Sequence, residues 1–397
     1  MTKVQTGLDI LTAQAFAPLR GMKVGLVAHP ASCDSSLRHA IDLFSAASHL
    51  TLSAIFGPEH GLMGQAQDLI HVAEHESTGH GAAARLHSLY GTNAFSLRPT
   101  VESLRGLDIL VIDLQDVGSR YYTFQATMLY CLEAALPLGL PVMILDRPNP
   151  IGGLAVEGPA LEPGFQSFVG CADTAIRHGL TMGELARLYV QERGIAGAPL
   201  TVVACEGWKR GMLFPDTGLP WILPSPNMPA PATALVYPGA CLVEGTHLSE
   251  GRGTTRPFEI MGAPWLSGRE FAARLEQAKL PGVTFRPLTF RPTFQKQAGK
   301  DCGGVQIHVT DPDAFRPVRT GYTFLQTARS LNPGEFQWRT EIYEYVTNPI
   351  AIDLLFGNAS GRAAIEQNIP WPEATRAWEN DEAAFRSRRQ PILMYPE

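Results

Sequence analysis

The sequence predicts an α/β protein built around a parallel sheet, and three observations carry that expectation. Short apolar runs alternate with stretches of helical period through the first part of the chain. Those runs end in polar residues that fall at one edge of the expected sheet. The length of 397 residues exceeds that of an average domain, so two packed domains are expected. Hydrophobic residues at 45% and charged residues at 18% are ordinary globular usage and exclude a disordered, collagen-like or coiled-coil chain.

Taken in order, KVGLVA at 23–28 is the first strand, and 36–47 follows as a helix with Leu37, Ile41 and Phe44 on one face. A second strand is expected over 52–56. LDILVIDL at 107–114 is an apolar run interrupted only by acids, which marks a buried strand. Phe124, Met128, Leu132 and Leu136 then recur every four residues as a helix, and PVMIL at 141–145 forms the next strand. Strands joined through helices imply parallel pairing with right-handed crossovers. Thr181 and Glu184 have capping-box spacing, so the helix carrying Leu185, Leu188 and Tyr189 starts there and Glu184 is structural. Seven prolines lie between Pro215 and Pro238, which reads as an ordered crossing between domains. Beyond it, strand patterns occupy 283–290 and 305–309, and helices occupy 322–330 and a polar stretch near 372–386.

Open parallel sheets bind their ligands past the C-terminal ends of the strands. His29-Pro30, Pro58-Glu59-His60, Asp113 with Gln115 and Asp116, and Asp146-Arg147 all fall there. Polar residues also follow strands simply because strands end in surface loops, so convergence carries more weight than any single position.

Charge and composition narrow the function. The formal net charge is −6, from 32 Lys and Arg against 38 Asp and Glu, and no basic run interrupts it, so a nucleic-acid partner is not expected. The longest apolar stretch, 127–145, contains Glu133, Pro137 and Pro141 and reads as helix, turn and strand rather than a membrane span. The opening MTKVQTG lacks an apolar leader, and the six cysteines form no Cys-x-x-Cys pair. Reduced thiols and a cytoplasmic location are expected. A glycine-rich dinucleotide loop, a phosphate-binding loop and a Gly-x-Ser-x-Gly elbow are all missing, so neither a dehydrogenase nor an α/β-hydrolase is expected. No cofactor is called for.

Two kinds of chemistry remain open. His71, His75 and His80, with His60 and His87 nearby, could hold a metal, but the His-Glu-x-x-His spacing is absent. The alternative is a pair of carboxylates for sugar hydrolysis, one to protonate the leaving oxygen and one to support an oxocarbenium-like centre or activate water. Glu59, Asp116, Glu244 and Glu250 all lie in glycine-rich loops and are candidates. A carboxylate in such a loop can equally brace backbone N–H groups.

Nine motifs, in order, carry a resemblance. FGPEHG at 56–61, SLYG at 88–91, DLQDVGSRYYT at 113–123, DRPNPIGG at 146–153, VEGP at 156–159, RHGLTMGE at 177–184, PSPNMP at 224–229, YPG at 237–239 and EGTHLSEGRGTTRPF at 244–258 together resemble the exo-β-N-acetylmuramidases. That glycoside hydrolase family was long known only as a domain of unknown function. The resemblance implies a Rossmann-like parallel-sheet N-terminal domain, taken as 1–232, and a smaller α/β C-terminal domain, 233–397, with the site in the cleft between them. It implies release of N-acetylmuramic acid from the non-reducing end of peptidoglycan-derived glycans such as N-acetylmuramyl-N-acetylglucosamine, in cell-wall turnover or recycling. The glutamate of its Pro-Glu-His-Gly motif, Glu59 here, is the family's catalytic residue. Two departures bear on the glycan: the histidine-rich segment 65–87, and His247 where asparagine is expected.

On this reading Glu59 is the general acid, and Glu250 or Asp116 lies across the sugar, unless the substrate's own acetamido group attacks. A cation with fork geometry is expected for the lactyl carboxylate of muramic acid, from Arg120, Arg147 or Arg252, with a structural ion pair the stronger expectation for Arg147. His60, Gln115, Tyr122, Asn227, Glu244 and Thr254 complete the expected binding set; Tyr121 and Tyr122 either stack on a sugar or pack the following helix. A metal-dependent hydrolase using the 71–87 histidines and a non-catalytic muropeptide-binding protein are the alternatives. The oligomeric state stays open.

Overall fold

The computed structural model describes residues 3–67, 70 and 84–397. Its first lobe is a six-stranded parallel sheet made of β1 (Lys23–Ala28), β2 (Thr51–Gly57), β3 (Arg85–Ser88), β4 (Ile109–Asp113), β5 (Val142–Leu145) and β6 (Leu200–Val203). The strand order is β3-β2-β1-β4-β5-β6, the doubly wound arrangement whose direction of winding reverses between β1 and β4. The α/β expectation therefore holds. The short strands β3 and β6 escaped sequence reading because four half-exposed residues carry no period.

Alternation along the strands explains the layering. Val24, Leu26 and Ala28 of β1, Ile109 and Val111 of β4, and Met143 and Leu145 of β5 face one side, where the helices Gly7–Ala13 and Ala40–Ala46 cover them. Val27, Leu110, Ile112, Val142 and Ile144 face the other side, under Phe124–Ala135 and Met182–Arg193. Thr181 and Glu184 form the expected capping box, and the buried Glu184 also pairs with Arg210 at 2.6 Å. The helix expected over 36–47 is shorter, beginning at Ala40 with His39 as its cap. Asp34 Oδ1 accepts from Ser36 N and Arg38 N, which makes 34–38 a turn and leaves Leu37 exposed with φ of 65°.

The second lobe holds a three-stranded antiparallel sheet of order β7-β9-β8, from β7 (Ile260–Ala263), β8 (Val283–Phe290) and β9 (Cys302–Val309), packed by the helix Gly268–Gln277, on which the helix Pro317–Leu331 lies in turn. The polar C-terminal stretch forms Trp371–Ala374 and Arg376–Arg389. One hydrophobic core runs without a break from Phe56 of the first sheet to Phe315 and Phe324 of the second lobe.

Polar contacts reinforce this joint. The buried Arg120 guanidinium donates to Pro159 O and Thr174 O in the first lobe and to Leu355 O and Phe356 O in the second. The chain then returns to the first lobe: Met394 N donates to Glu184 Oε1 at 2.8 Å and Tyr395 Oη to Asp146 Oδ2 at 2.5 Å. All six cysteines are unpaired, with Cys33 half-buried and the others buried. No helix among the described residues is long and apolar enough to cross a membrane.

Candidate active site

A cavity of about 450 Å³ opens between the lobes at the C-terminal edge of the parallel sheet. Glu59 enters it from the turn after β2. That turn is shaped by two successive left-handed residues, His60 at φ 71° and Gly61 at 78°, and is closed by Gly61 N donating to Pro58 O. Glu59 is 4% exposed, and its Oε2 accepts a 2.6 Å hydrogen bond from Thr123 Oγ1, at the start of the helix Phe124–Ala135. His60 also lines the cavity, with Nδ1 2.9 Å from Ala66 O.

The proline-rich crossing supplies one wall through Ser225, Asn227 and Met228, and Asn227 Nδ2 donates to Gln67 Oε1 at 2.7 Å. His29 fixes this segment to the sheet. Burial first, then Arg147, pushes its imidazole well below the usual range, so it is neutral. Its Nε2 accepts from Gln115 N at 3.0 Å, which leaves the proton on Nδ1 to donate to Pro224 O at 3.3 Å.

The second lobe contributes a charged cluster. Arg252 Nη2 donates to Glu244 Oε1 at 2.7 Å, and Tyr343 Oη donates to Glu244 Oε2 at 2.7 Å. Burial alone would raise the Glu244 carboxyl, but Arg252 and Lys296 outweigh it and hold the group below the usual range. Glu244 is therefore an anion committed to its partners, not a proton donor.

Next to it, Glu344 lines the same cavity from an unusual turn. Tyr343 and Val346 exchange backbone hydrogen bonds, and the two residues between them, Glu344 and Tyr345, have φ of 46° and 67°. Positive φ at both central positions is the type I′ pattern, normally built from asparagine and glycine. Side chains with a Cβ cost roughly 1–2 kcal/mol each there, so the surroundings must hold them. They do: Tyr90 Oη donates to Glu344 Oε2 at 3.1 Å, and Tyr345 Oη donates to Gly91 O at 2.8 Å, both across the lobe boundary. Burial first, then the fields of Glu344 and Glu59, pushes the Tyr345 phenol up to about 12 and pushes that of Tyr90 up as well.

Among the residues expected from sequence, the cavity brings together Glu59, His60, Tyr121, Tyr122, Asn227, Glu244 and Arg252. Others lie elsewhere, for physical reasons. Asp116 braces its own loop: Oδ2 accepts from Gly118 N at 2.6 Å and sits 3.2 Å from His178 Nε2. Glu250 is buried behind the cavity, 2.9 Å from Lys296 Nζ and 3.3 Å from Arg252 Nε. Arg120 is spent on four carbonyls, as described above.

Gln115 donates to Asp116 O and Pro148 O and lines a separate small cavity, and Thr254 Oγ1 donates to Gly251 O within a turn. Arg147 makes the expected structural pair, with Asp113: Nε to Oδ1 at 2.6 Å and Nη2 to Oδ2 at 2.9 Å. His247 is half-exposed, 3.7 Å from Glu341 Oε1. His71, His75 and His80 lie outside the described residues. Of the described pair, His87 stacks on Phe56, and among the described residues no group of three His, Cys, Asp or Glu side chains could hold a metal.

Sequence reading missed Thr123, Ser225, Tyr237 and Phe258 as cavity residues although they lie within matched motifs, and it missed Tyr343 and Glu344 entirely. The Glu344-Tyr345 turn has no glycine or asparagine to announce it.

A doubly wound sheet that brings buried carboxylates to a cavity between the lobes has the parts that glycoside cleavage requires, an acid and a shaped space beside it. The chain belongs to the exo-β-N-acetylmuramidase NamZ family, matching its N-terminal domain over residues 24–232 and its C-terminal domain over 235–395. It is 43% identical over 395 residues to the peptidoglycan β-N-acetylmuramidase NamZ of Bacillus subtilis (strain 168), covering 99% of this chain and 92% of that one. Crystal structures of two DUF1343 family proteins from Bacteroides fragilis share the fold over the full length of both chains. One has a TM-score of 0.87 at 33% identity and the other 0.77 at 27%.

Proposed function

We infer that this chain is an exo-β-N-acetylmuramidase that releases N-acetylmuramic acid from the non-reducing end of peptidoglycan-derived glycans, with N-acetylmuramyl-N-acetylglucosamine as the minimal substrate. The observation that carries the reading is Glu59, buried at the head of a cavity enclosed by both lobes and held by Thr123. The lobes are taken to divide at 232/233. Six unpaired cysteines suit a reducing compartment, and we place the activity in the cytoplasm.

Glu59 gives its proton to the glycosidic oxygen as the bond to C1 breaks, the bonding pair leaving with that oxygen. Positive charge then grows at C1, and Glu344 is the carboxylate we assign to stabilise it, in place of Glu250 and Asp116. That electrostatic role is the same whether water, a carboxylate or the substrate's acetamido oxygen attacks C1. Arg252, which lines the cavity while paired with Glu244 and Glu250, is the group assigned to meet the lactyl carboxylate. Water finally supplies the hydroxyl at C1, and Glu59 recovers a proton.

The test is release of N-acetylmuramic acid from the disaccharide by the wild type and by Glu59→Gln, with and without a chelator. A loss of roughly 10²- to 10⁴-fold in the variant, with chelator without effect, is expected. Loss of activity on chelation would favour the metal reading, and tight binding without turnover would leave a muropeptide-binding protein.

A further inference from the structure

Arg252 reaches the cavity with two buried carboxylates already against it, Glu244 at 2.7 Å and Glu250 at 3.3 Å. Those three groups alone sum to one negative charge, which repels an acidic sugar, and Glu344 adds another carboxylate to the same cavity. A fourth group completes the set. Lys296 Nζ lies 2.9 Å from Glu250 Oε2, the oxygen that Arg252 does not meet, and donates to Val243 O at 3.2 Å and Glu244 O at 3.4 Å. We propose that Lys296 sets the preference for an acidic sugar: its charge brings the cluster of Glu244, Glu250 and Arg252 to neutrality, which lets Arg252 receive the lactyl carboxylate. Lys296 stands outside the cavity lining and acts through Glu250 and Arg252, so it is a positioning residue.

The placement of this lysine is built into two loops. Lys296 sits in the connection between β8 and β9, flanked by Gln295 and Gln297, both left-handed with φ of 65° and 60°. Residues with a Cβ are disfavoured there, so contacts must hold the loop in that shape. Thr293 N and Oγ1 both donate to Gly253 O, at 3.0 and 2.9 Å, and Gln297 Nε2 donates to His247 O at 2.8 Å. Gly253 must be glycine for this approach: its φ is 77°, and a Cβ there would lie 2.7 Å from Phe294 N. The loop carrying Lys296 is thus locked to the loop carrying Arg252 at the residue next to the arginine.

Burial gives the charge its reach. The Glu250 side chain is 2% exposed and that of Lys296 16%, so solvent screens the pair little. Lys296 also helps hold the Glu244 carboxyl below its usual range, which shows its field crossing the whole cluster.

This assignment rests on the muramidase reading, and its test separates the two. Calorimetry would give the affinities of N-acetylmuramic acid and of its methyl ester, the same sugar without the charge, alongside kcat and KM for the disaccharide. The proteins are the wild type, Lys296→Met, Lys296→Arg, Glu250→Gln and the double variant carrying Lys296→Met and Glu250→Gln. Lys296→Met should weaken the acid about tenfold or more and leave the ester within about twofold, with the kinetic loss falling on KM. Lys296→Arg should retain the affinity, and the double variant should recover it, because Glu244 and Arg252 then balance. If Lys296→Met does not fold, Glu250→Gln carries the test alone: its cluster gains a positive charge and should bind the acid about tenfold more tightly relative to the ester. Equal losses for acid and ester, a double variant no better than Lys296→Met, or no gain for the acid in Glu250→Gln would each overturn the assignment, as would a wild type that does not bind the acid. Charge-dependent binding of the acid by a protein that releases no muramic acid would uphold Lys296 and sink the muramidase reading.

Discussion

Thr123 Oγ1 donates to Oε2 of Glu59, so a proton carried by that carboxyl belongs on Oε1. The relationship couples the start of the helix Phe124–Ala135 to the orientation of the acid. Thr123→Val keeps the shape and removes the donor, and is expected to lower kcat roughly 10- to 100-fold with little change in KM. Thr123→Ser should recover most of the loss. Equal effects on KM and kcat would mean that the threonine serves the pocket's shape rather than the acid.

Glu344 should behave differently from Glu59 when the leaving group changes. An activated aryl muramide needs little protonation, so Glu59→Gln should be far less damaging on it than on the disaccharide. Glu344→Gln should cost about 10²- to 10³-fold on both, because charge grows at C1 in either case. Aryl and natural substrates ranked alike for the two variants would remove the distinction of roles.

Arg120 is a structural prediction rather than a catalytic one. Its guanidinium serves four carbonyls drawn from both lobes, and a lysine cannot reproduce that planar fork. Arg120→Lys is expected to lose roughly 2–4 kcal/mol of stability while the folded fraction keeps its kcat. Chemical denaturation followed by active-site titration would check both halves.

Asp146 makes stability depend on pH. Burial pushes its carboxyl up to about 6, against the hydrogen bonds from Tyr395, Thr181 and Gly183 N that favour its ionised form. The unfolded value is about 4, so the folded state keeps a proton that the unfolded chain releases. This contribution, on the order of 2–3 kcal/mol, is full below pH 4, declines from about pH 4 to 6 and is gone above that. Tyr395→Phe removes a donor to the ionised form, so its cost should be larger at pH 8 than at pH 5, read from urea midpoints at the two values.

The fold was legible where periodicity was strong. The runs around β1, β4 and β5 and the four-residue repeat from Phe124 name their elements, and the polar strand ends point to the edge of the sheet where Glu59 lines the cavity. The rest depended on contacts distant in sequence. Asp116 and Glu250 read as candidate acids in a loop string, and only the structure shows Asp116 beside Gly118 N and His178 Nε2 and Glu250 beside Lys296 and Arg252. Arg120 looks like a substrate cation until the carbonyls of residues 355 and 356 arrive beside it. Glu344 belongs to no local pattern, since its carboxylate is held by the Tyr90 hydroxyl from the other lobe.

The return of the last helix to the first lobe sets a timetable for synthesis. Asp146 is bonded by a residue 249 positions later in the chain. At translation rates of roughly 5–20 residues per second, about 10–50 s separate the emergence of the two. Through that interval the edge of the sheet around β5 lacks the Tyr395 hydroxyl, and Asp146 has only water and its local partners to satisfy it. The nascent first lobe is therefore weaker on the ribosome before Tyr395 emerges than after it has docked on Asp146.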